Sequence, residues 1–162
     1  MCSNCITGTN KSNAEDIVVV FGPGPIGLLA ARWQKNYGAS KVIVVGTTPD
    51  KELRLPLAKK LGADMTLVSG EDDVEKILSD LTNGEGIDLA VDCSGAAPAI
   101  NSCLRMLRKL GRMCVIGFRE DVRFRLNGRL QQRNHWKLFS HTVPHRHHGI
   151  PVCPCWKEAP LM

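Results

Sequence analysis

Apolar and polar positions change period along this chain in a regular way between residues 15 and 118. Residues 17–21 (IVVVF) are a short apolar run rich in β-branched side chains, which reads as a strand running into Gly22. Residues 25–37 follow at helical spacing, with proline in the first turn and Gly38 where a helix C-cap belongs. Residues 41–45 (KVIVV) are continuously apolar after a basic start, the pattern of a strand covered on both faces. A second helix is expected within residues 50–61, ended by Gly62. Because proline suits a first turn and damages a helix interior, Pro56 places its true start near Arg54, after a long loop from Gly46. Next come a strand at 65–68, a helix at 72–82 with acidic residues in its first turn, a turn at 83–86 and a strand at 87–93. The last pair is a helix over 97–109, with Ile100, Cys103, Leu104 and Leu107 on one face and Gly111 after it, and a strand at 113–118. Alternation of this kind predicts the α/β class, a doubly wound parallel sheet with right-handed crossovers and five clear strands.

After Phe118 the pattern breaks. Residues 122–126 alternate weakly and are the candidate sixth strand, while residues 127–162 keep neither period. All five histidines, two of the three tryptophans and four of the nine prolines lie after residue 134. The expected organisation is therefore an unstructured lead-in at 1–14, one domain at 15–126, and an irregular, disordered tail at 127–162. The abrupt change of composition reads as though a different kind of sequence had been joined on.

Chemistry enters at the first strand–helix junction. Gly22-Pro-Gly24-Pro25-Ile26-Gly27 is G-x-G-x-x-G at the end of a strand and the start of a helix, the context that gives the motif meaning. The first glycine lets the chain turn sharply, the second lets backbone approach a pyrophosphate, and the third lets helix and strand pack closely. The helix N-terminus then offers unpaired N–H groups and a positive dipole end to phosphates. Dinucleotide binding is the function this junction predicts, with Gly22, Gly24, Pro25, Ile26 and Gly27 as cofactor-binding residues.

Composition narrows the alternatives. Of 21 Lys and Arg and 16 Asp and Glu, residues 119–162 hold 8 and 3, which leaves 13 of each before them. The basic balance belongs to the tail, so no basic face for specific nucleic-acid binding is expected on the domain. The longest apolar stretch is broken by 22–25 and is too short to span a membrane. Seven cysteines, an odd number with no signal peptide, fit a reducing cytoplasm, and Cys93, Cys103 and Cys114 read as buried free thiols. Cys2-x-x-Cys5 and the cluster His145, His147, His148, Cys153 and Cys155 have ligand-type residues, but no predicted element orders them, so no metal site is assigned. Tyr37-x-x-x-Lys41 has the spacing of a short-chain dehydrogenase pair, yet Gly38 ends the helix between them. A methyltransferase reading of the glycine loop wants an acid at the end of the second strand, where Gly46 stands.

Read together, VVVFGPGPIGLLAA at 18–31, KVIVV at 41–45, AKKLGAD at 58–64, GIDLAVDCSGA at 86–96 and LRKLGRMCVIG at 107–117 carry a family resemblance. Residues 15–118 resemble the cofactor-binding, Rossmann-type domain of zinc-dependent medium-chain alcohol dehydrogenases, sorbitol and threonine dehydrogenases among them. The resemblance implies an oxidoreductase that moves hydride between an alcohol and a nicotinamide cofactor, with zinc polarising the alcohol oxygen. It also implies that the catalytic domain and its zinc ligands precede the cofactor domain. Only 14 residues precede the resemblance here, so neither catalytic residues nor a bound zinc is expected in this chain. Two further readings stay open: a non-catalytic NADP(H)-binding module, and an inactive truncated product.

Cofactor choice is read at the end of the second strand. NAD users place an acidic residue there for the adenosine ribose hydroxyls, and here the position is Gly46, followed by Thr47 and Thr48. By resemblance Arg54 takes a basic position beside that ribose, and the longer loop adds Lys51. Loss of the carboxylate removes repulsion toward a 2′-phosphate, and two hydroxyls and two cations could hold one, so NADP(H) is favoured over NAD(H). Resemblance further places Cys93, Ser94 and Gly95 near the ribose on the nicotinamide side, and Val115, Ile116 and Gly117 near the nicotinamide itself. Asp92 caps the next helix or satisfies buried amides. Cys93 has no histidine within residues 15–118 to activate it and reads as core. The expected partners are the dinucleotide and, through an open sheet edge, another copy of the chain.

Overall fold

The apolar runs are continuous because alternate residues of each strand feed two separate cores. The computed structural model describes residues 12–117 and, beyond them, the backbone of a strand at 137–140. Its elements in order are β1 (Ile17–Phe21), α1 (Pro25–Asn36), β2 (Lys41–Gly46), a single 3-10 turn (Thr48–Asp50), α2 (Arg54–Lys60), β3 (Met65–Val68), α3 (Val74–Leu81), β4 (Ile87–Asp92), α4 (Ala97–Met106), β5 (Leu107–Val115) and β6 (Lys137–Ser140). Val18, Val20, Val42, Val44, Leu89 and Val91 face one side, where Leu28, Ala31, Leu55 and Ala58 of α1 and α2 cover them. Val19, Phe21, Ile43, Val45 and Leu67 face the other side, beneath Val74, Leu78, Ile100 and Leu104 of α3 and α4. Burial on both faces is what a β-branched run in a parallel sheet records.

The sheet is parallel throughout, in the order β3-β2-β1-β4-β5-β6. That order reverses direction between β1 and β4, and open α/β sheets bind ligands in the crevice at such a switch point, beyond the carboxyl ends of the strands. The glycine loop after β1 and the Asp92–Gly95 turn after β4 flank this crevice.

Local chemistry sets the helix ends. Pro25 occupies the first turn of α1 behind Gly24, and at the far end Gly38 takes a positive φ of 94° while its N–H bonds to Lys35. Pro56 lies in the first turn of α2, and α2 begins at Arg54 as the sequence requires. Asp73 caps α3 by accepting from the Lys76 N–H at 3.1 Å.

Three expectations are corrected. The fourth helix stops at Met106, and Leu107, expected on its apolar face, already pairs with Ile87 as the first residue of β5. Leu107 is buried as its spacing demands, but periodicity reports burial and leaves the conformation open. The register then shifts before Leu89 meets Arg112, and Leu110 adopts a φ of 62°, so Gly111 lies inside an irregular strand instead of behind a helix. Lys137–Ser140, assigned to the irregular tail, is a strand parallel to β5, while the candidate strand at 122–126 lies outside the described residues. Four residues are too few to show a period, and β6 pairs through its backbone with residues 112–115 of β5. Lastly, Ser12 and Asn13, assigned to the unstructured lead-in, are fastened. The Ser12 N–H donates to Gln34 Oε1 at 3.0 Å and its hydroxyl to the Gln34 carbonyl at 3.1 Å. Gln34 is a buried polar side chain on α1, and a buried amide needs such partners. No helix among the described residues is long and apolar enough to cross a membrane.

Candidate functional site: a backbone cradle at the sheet switch point

Main-chain atoms dominate the crevice. Gly22 turns with φ of 88°, in the left-handed region that side chains disfavour, and a Cβ there would lie 2.9 Å from the Ser94 nitrogen. Gly27 sits one turn into α1, where a Cβ would overlap the Gly22 carbonyl oxygen and stand 3.5 Å from the Cys93 side chain. Gly117, after β5, presses on the backbone of Cys93, Ser94 and Gly95 in the same manner. Gly24 is the exception. It is the N-cap of α1, with φ −71° and ψ 178°, and a Cβ on it would meet nothing within 4 Å. The space above Gly24 is the gap into which a pyrophosphate would fit, at the positive end of a helix. The three loops that the sequence named separately, at 22–27, 93–95 and 115–117, are thus brought together.

Asp92 fixes the middle loop. Its side chain is fully buried and accepts from the Ser94 N–H at 3.1 Å, the Ser94 hydroxyl at 2.6 Å and the Gly95 N–H at 3.0 Å. Its own carbonyl receives the N–H groups of Ile116 at 2.8 Å and Gly117 at 3.0 Å. Burial raises its pKa above the ordinary value, against the opposing pull of the Ser94 and Gly95 bonds. Satisfaction of buried amides is the role the structure gives it. Cys93 is half-buried and free, and burial together with the Asp92 charge pushes its thiol far up, which fits a core residue and not a nucleophile.

The loop after β2 holds a residue that sequence reasoning missed. Gly46 ends β2 without a carboxylate, and a Cβ there would press Asp50 Cβ at 3.0 Å, Pro23 Cγ at 3.0 Å and Leu55 Cδ2 at 3.1 Å. A side chain there would need these three neighbours to give by a few tenths of an ångström. Asp50 fills the place from four residues on. Its Oδ2 accepts from the Thr47 N–H at 2.9 Å and the Thr47 hydroxyl at 2.8 Å, and its Oδ1 pairs with Arg54 at 2.9 Å. Burial raises the Asp50 pKa, but the Thr47 bonds and Arg54 outweigh it and hold the carboxyl below its ordinary value. The expectation that this edge lacks a carboxylate is therefore corrected. The missed signal was Thr47-x-x-Asp50, the spacing by which an acid three residues on reaches back to a cap N–H. Thr47, Thr48 and Arg54 remain exposed here, whereas Lys51 reaches the next loop and pairs with Glu71 at 2.6 Å.

A separate concavity of about 470 Å³ opens at the amino ends of β4 and β5, lined by Leu78, Ser79, Glu85, Arg105 and Met106. It lies at the opposite end of the sheet from the cradle and shares no residue with it. Among the described residues no group of three or more His, Cys, Asp or Glu is placed to hold a metal ion.

A parallel sheet in this order, with a glycine-lined helix N-terminus at its switch point, defines a Rossmann-type α/β fold. A family model described as zinc-binding dehydrogenase matches residues 25–143, and the chain belongs to that family. It is 40% identical over 116 residues to a sorbitol dehydrogenase of Halalkalibacterium halodurans, covering 72% of this chain and 33% of that protein. It is 45% identical over 109 residues to an erythritol/L-threitol dehydrogenase of Mycolicibacterium smegmatis, covering 67% of this chain and 29% of that protein. The fold matches that of a zinc-binding dehydrogenase from Sinorhizobium meliloti solved bound to NADP, with a TM-score of 0.75 and 20% identity over 84% of this chain and 40% of that one. The chain thus spans about a third of the length of the curated relatives it matches.

Proposed function

We propose that this chain is the nicotinamide-dinucleotide seat of a zinc-dependent alcohol or polyol dehydrogenase, and that it prefers NADP(H) to NAD(H). The observation that carries the reading is the cradle itself. Gly22, Gly27 and Gly117 are packed too tightly for side chains, while the space above Gly24 is open and faces a helix N-terminus. Such a site takes a pyrophosphate through backbone N–H groups and the helix dipole. Pro25 and Ile26 would bound it on the α1 side, and Ser94 and Gly95 on the β4 side. Val115, Ile116 and Gly117 would flank the ring.

When bound, the nicotinamide supplies or accepts the hydride. The residues described here position it and exclude water from one side of the crevice. The sorbitol and erythritol/L-threitol activities named for the relatives suggest a polyol as the substrate class for a complete protein of this kind.

Support for NADP(H) lies in the exposed Thr47, Thr48 and Arg54, beside a carboxylate whose oxygens are already engaged by Thr47 and Arg54. Fluorescence titration of the chain with NADPH and NADH tests both parts. Saturable binding with NADPH tighter is the expected outcome. Failure to bind either would remove the dinucleotide reading, and tighter NADH would remove only the preference.

A further inference from the structure

We propose that Asp50 is a specificity-determining residue: it holds the Arg54 guanidinium on its own carboxylate and so competes with a cofactor 2′-phosphate for that cation. The inference rests on the dinucleotide reading above and concerns how one residue tunes it.

The pair is asymmetric. The Asp50 side chain is 8% exposed, whereas Arg54, one turn along, is 55% exposed. Asp50 is anchored through two Thr47 bonds to the backbone and packs beside Gly46 and Pro23, so the carboxylate is fixed. Arg54 has a single bond to Asp50 and a long exposed stem, so it is the partner that can leave. A 2′-phosphate carries close to two negative charges and several strong acceptors, and a guanidinium matches it bidentately. To recruit Arg54 it must draw the cation off a buried carboxylate and then tolerate that carboxylate nearby. Lys51 gives little relief, because Glu71 on the following loop already pairs with it. Both cations of this edge are therefore matched by acids, and Asp50 is the acid that cannot move aside.

The test uses the full chain and fluorescence titration with NADPH and NADH, on Asp50→Asn, Arg54→Gln and the double variant. Asn keeps the size of Asp50 and can still accept from the Thr47 N–H. Asp50→Asn should tighten NADPH about tenfold and change NADH less than about twofold, as removal of one like charge at close range allows. Arg54→Gln should weaken NADPH selectively, and in that background Asp50→Asn should give a clearly smaller gain, from relief of direct repulsion alone. The proposal is overturned if Asp50→Asn weakens NADH, which would make Asp50 a ribose-hydroxyl acceptor. It is equally overturned if both affinities stay unchanged, or if the gain persists undiminished without Arg54. Should Asp50→Asn fail to fold, the exposed Arg54→Gln decides, and an equal effect on the two cofactors sinks the idea. Wild-type chain that binds neither cofactor would refute the dinucleotide reading itself, an outcome distinct from binding that Asp50→Asn leaves flat.

Discussion

Gly24→Ala separates the ligand-facing use of glycine from the structural one. Gly24 has φ −71°, which alanine adopts freely, and the added methyl would meet no protein atom within 4 Å. Two small effects on stability oppose each other. Alanine is a poorer N-cap than glycine by about 0.5–1 kcal/mol, and it narrows the unfolded ensemble by about 0.4–1 kcal/mol in favour of folding. The melting temperature should therefore stay within about 3 °C for a domain of this size. The methyl does, however, stand in the gap where a pyrophosphate would approach the α1 N-terminus. Losing one charge-assisted hydrogen bond from backbone to phosphate costs about 1.5–3 kcal/mol, or roughly 10–150-fold in affinity. Calorimetric titration with NADPH, alongside a thermal melt, reads both quantities. Gly27→Ala is the contrast: its methyl would overlap the Gly22 carbonyl, and about 3 kcal/mol or more of stability should go with it. If Gly24→Ala bound NADPH as well as the parent, with an unchanged melt, the loop would not be a phosphate cradle.

Other outcomes follow from the packing and the charges. Leu78→Ala, at a side chain 1% exposed on the inner face of α3, should cost about 2–5 kcal/mol in urea unfolding. Burial raises the Asp64 pKa, yet Lys35 and the Val42 N–H outweigh it and hold the group below its ordinary 3.8. Its contribution is thus complete above about pH 4 and lost as pH falls through the folded value, so Asp64→Asn should flatten the acid limb of melting temperature against pH. Asp92 has the opposite sign. Its folded pKa lies above 3.8, so it lowers stability as pH rises from there toward the folded value. Asp92→Asn should make the slope of melting temperature just above pH 4 more positive, whatever it does to the absolute value. Cys103 and Cys114 are buried, so mass spectrometry should find a thiol label on them only after denaturation.

β1, β2 and β4 were legible because each is a short apolar run whose neighbours cover both faces, and such runs tolerate little else. The junction after α4 was not. Leu107 satisfies helical spacing and strand pairing equally, and its pairing with Ile87 decided the matter. β6 escaped notice since KLFS carries its pairing in backbone atoms, which no side-chain pattern reveals. At the site, the glycine loop was readable because the residues it excludes are written directly in the sequence. Asp50 was not sought, because its carboxylate arrives by way of a 3-10 turn and not from the strand end. Gly46, read as a missing acid, is also a crowded position, with the Asp50, Pro23 and Leu55 side chains close about it.

The close backbone contacts at Gly22, Gly27 and Gly117 have a consequence for how this surface responds to mutation. Core sites such as Leu78 answer in proportion to volume, so a substitution series there traces a slope. At Gly27 the first carbon atom already collides, and every larger residue repeats the same collision. A saturation scan should show a step at these three glycines: alanine as damaging as tryptophan, and no conservative replacement to be found.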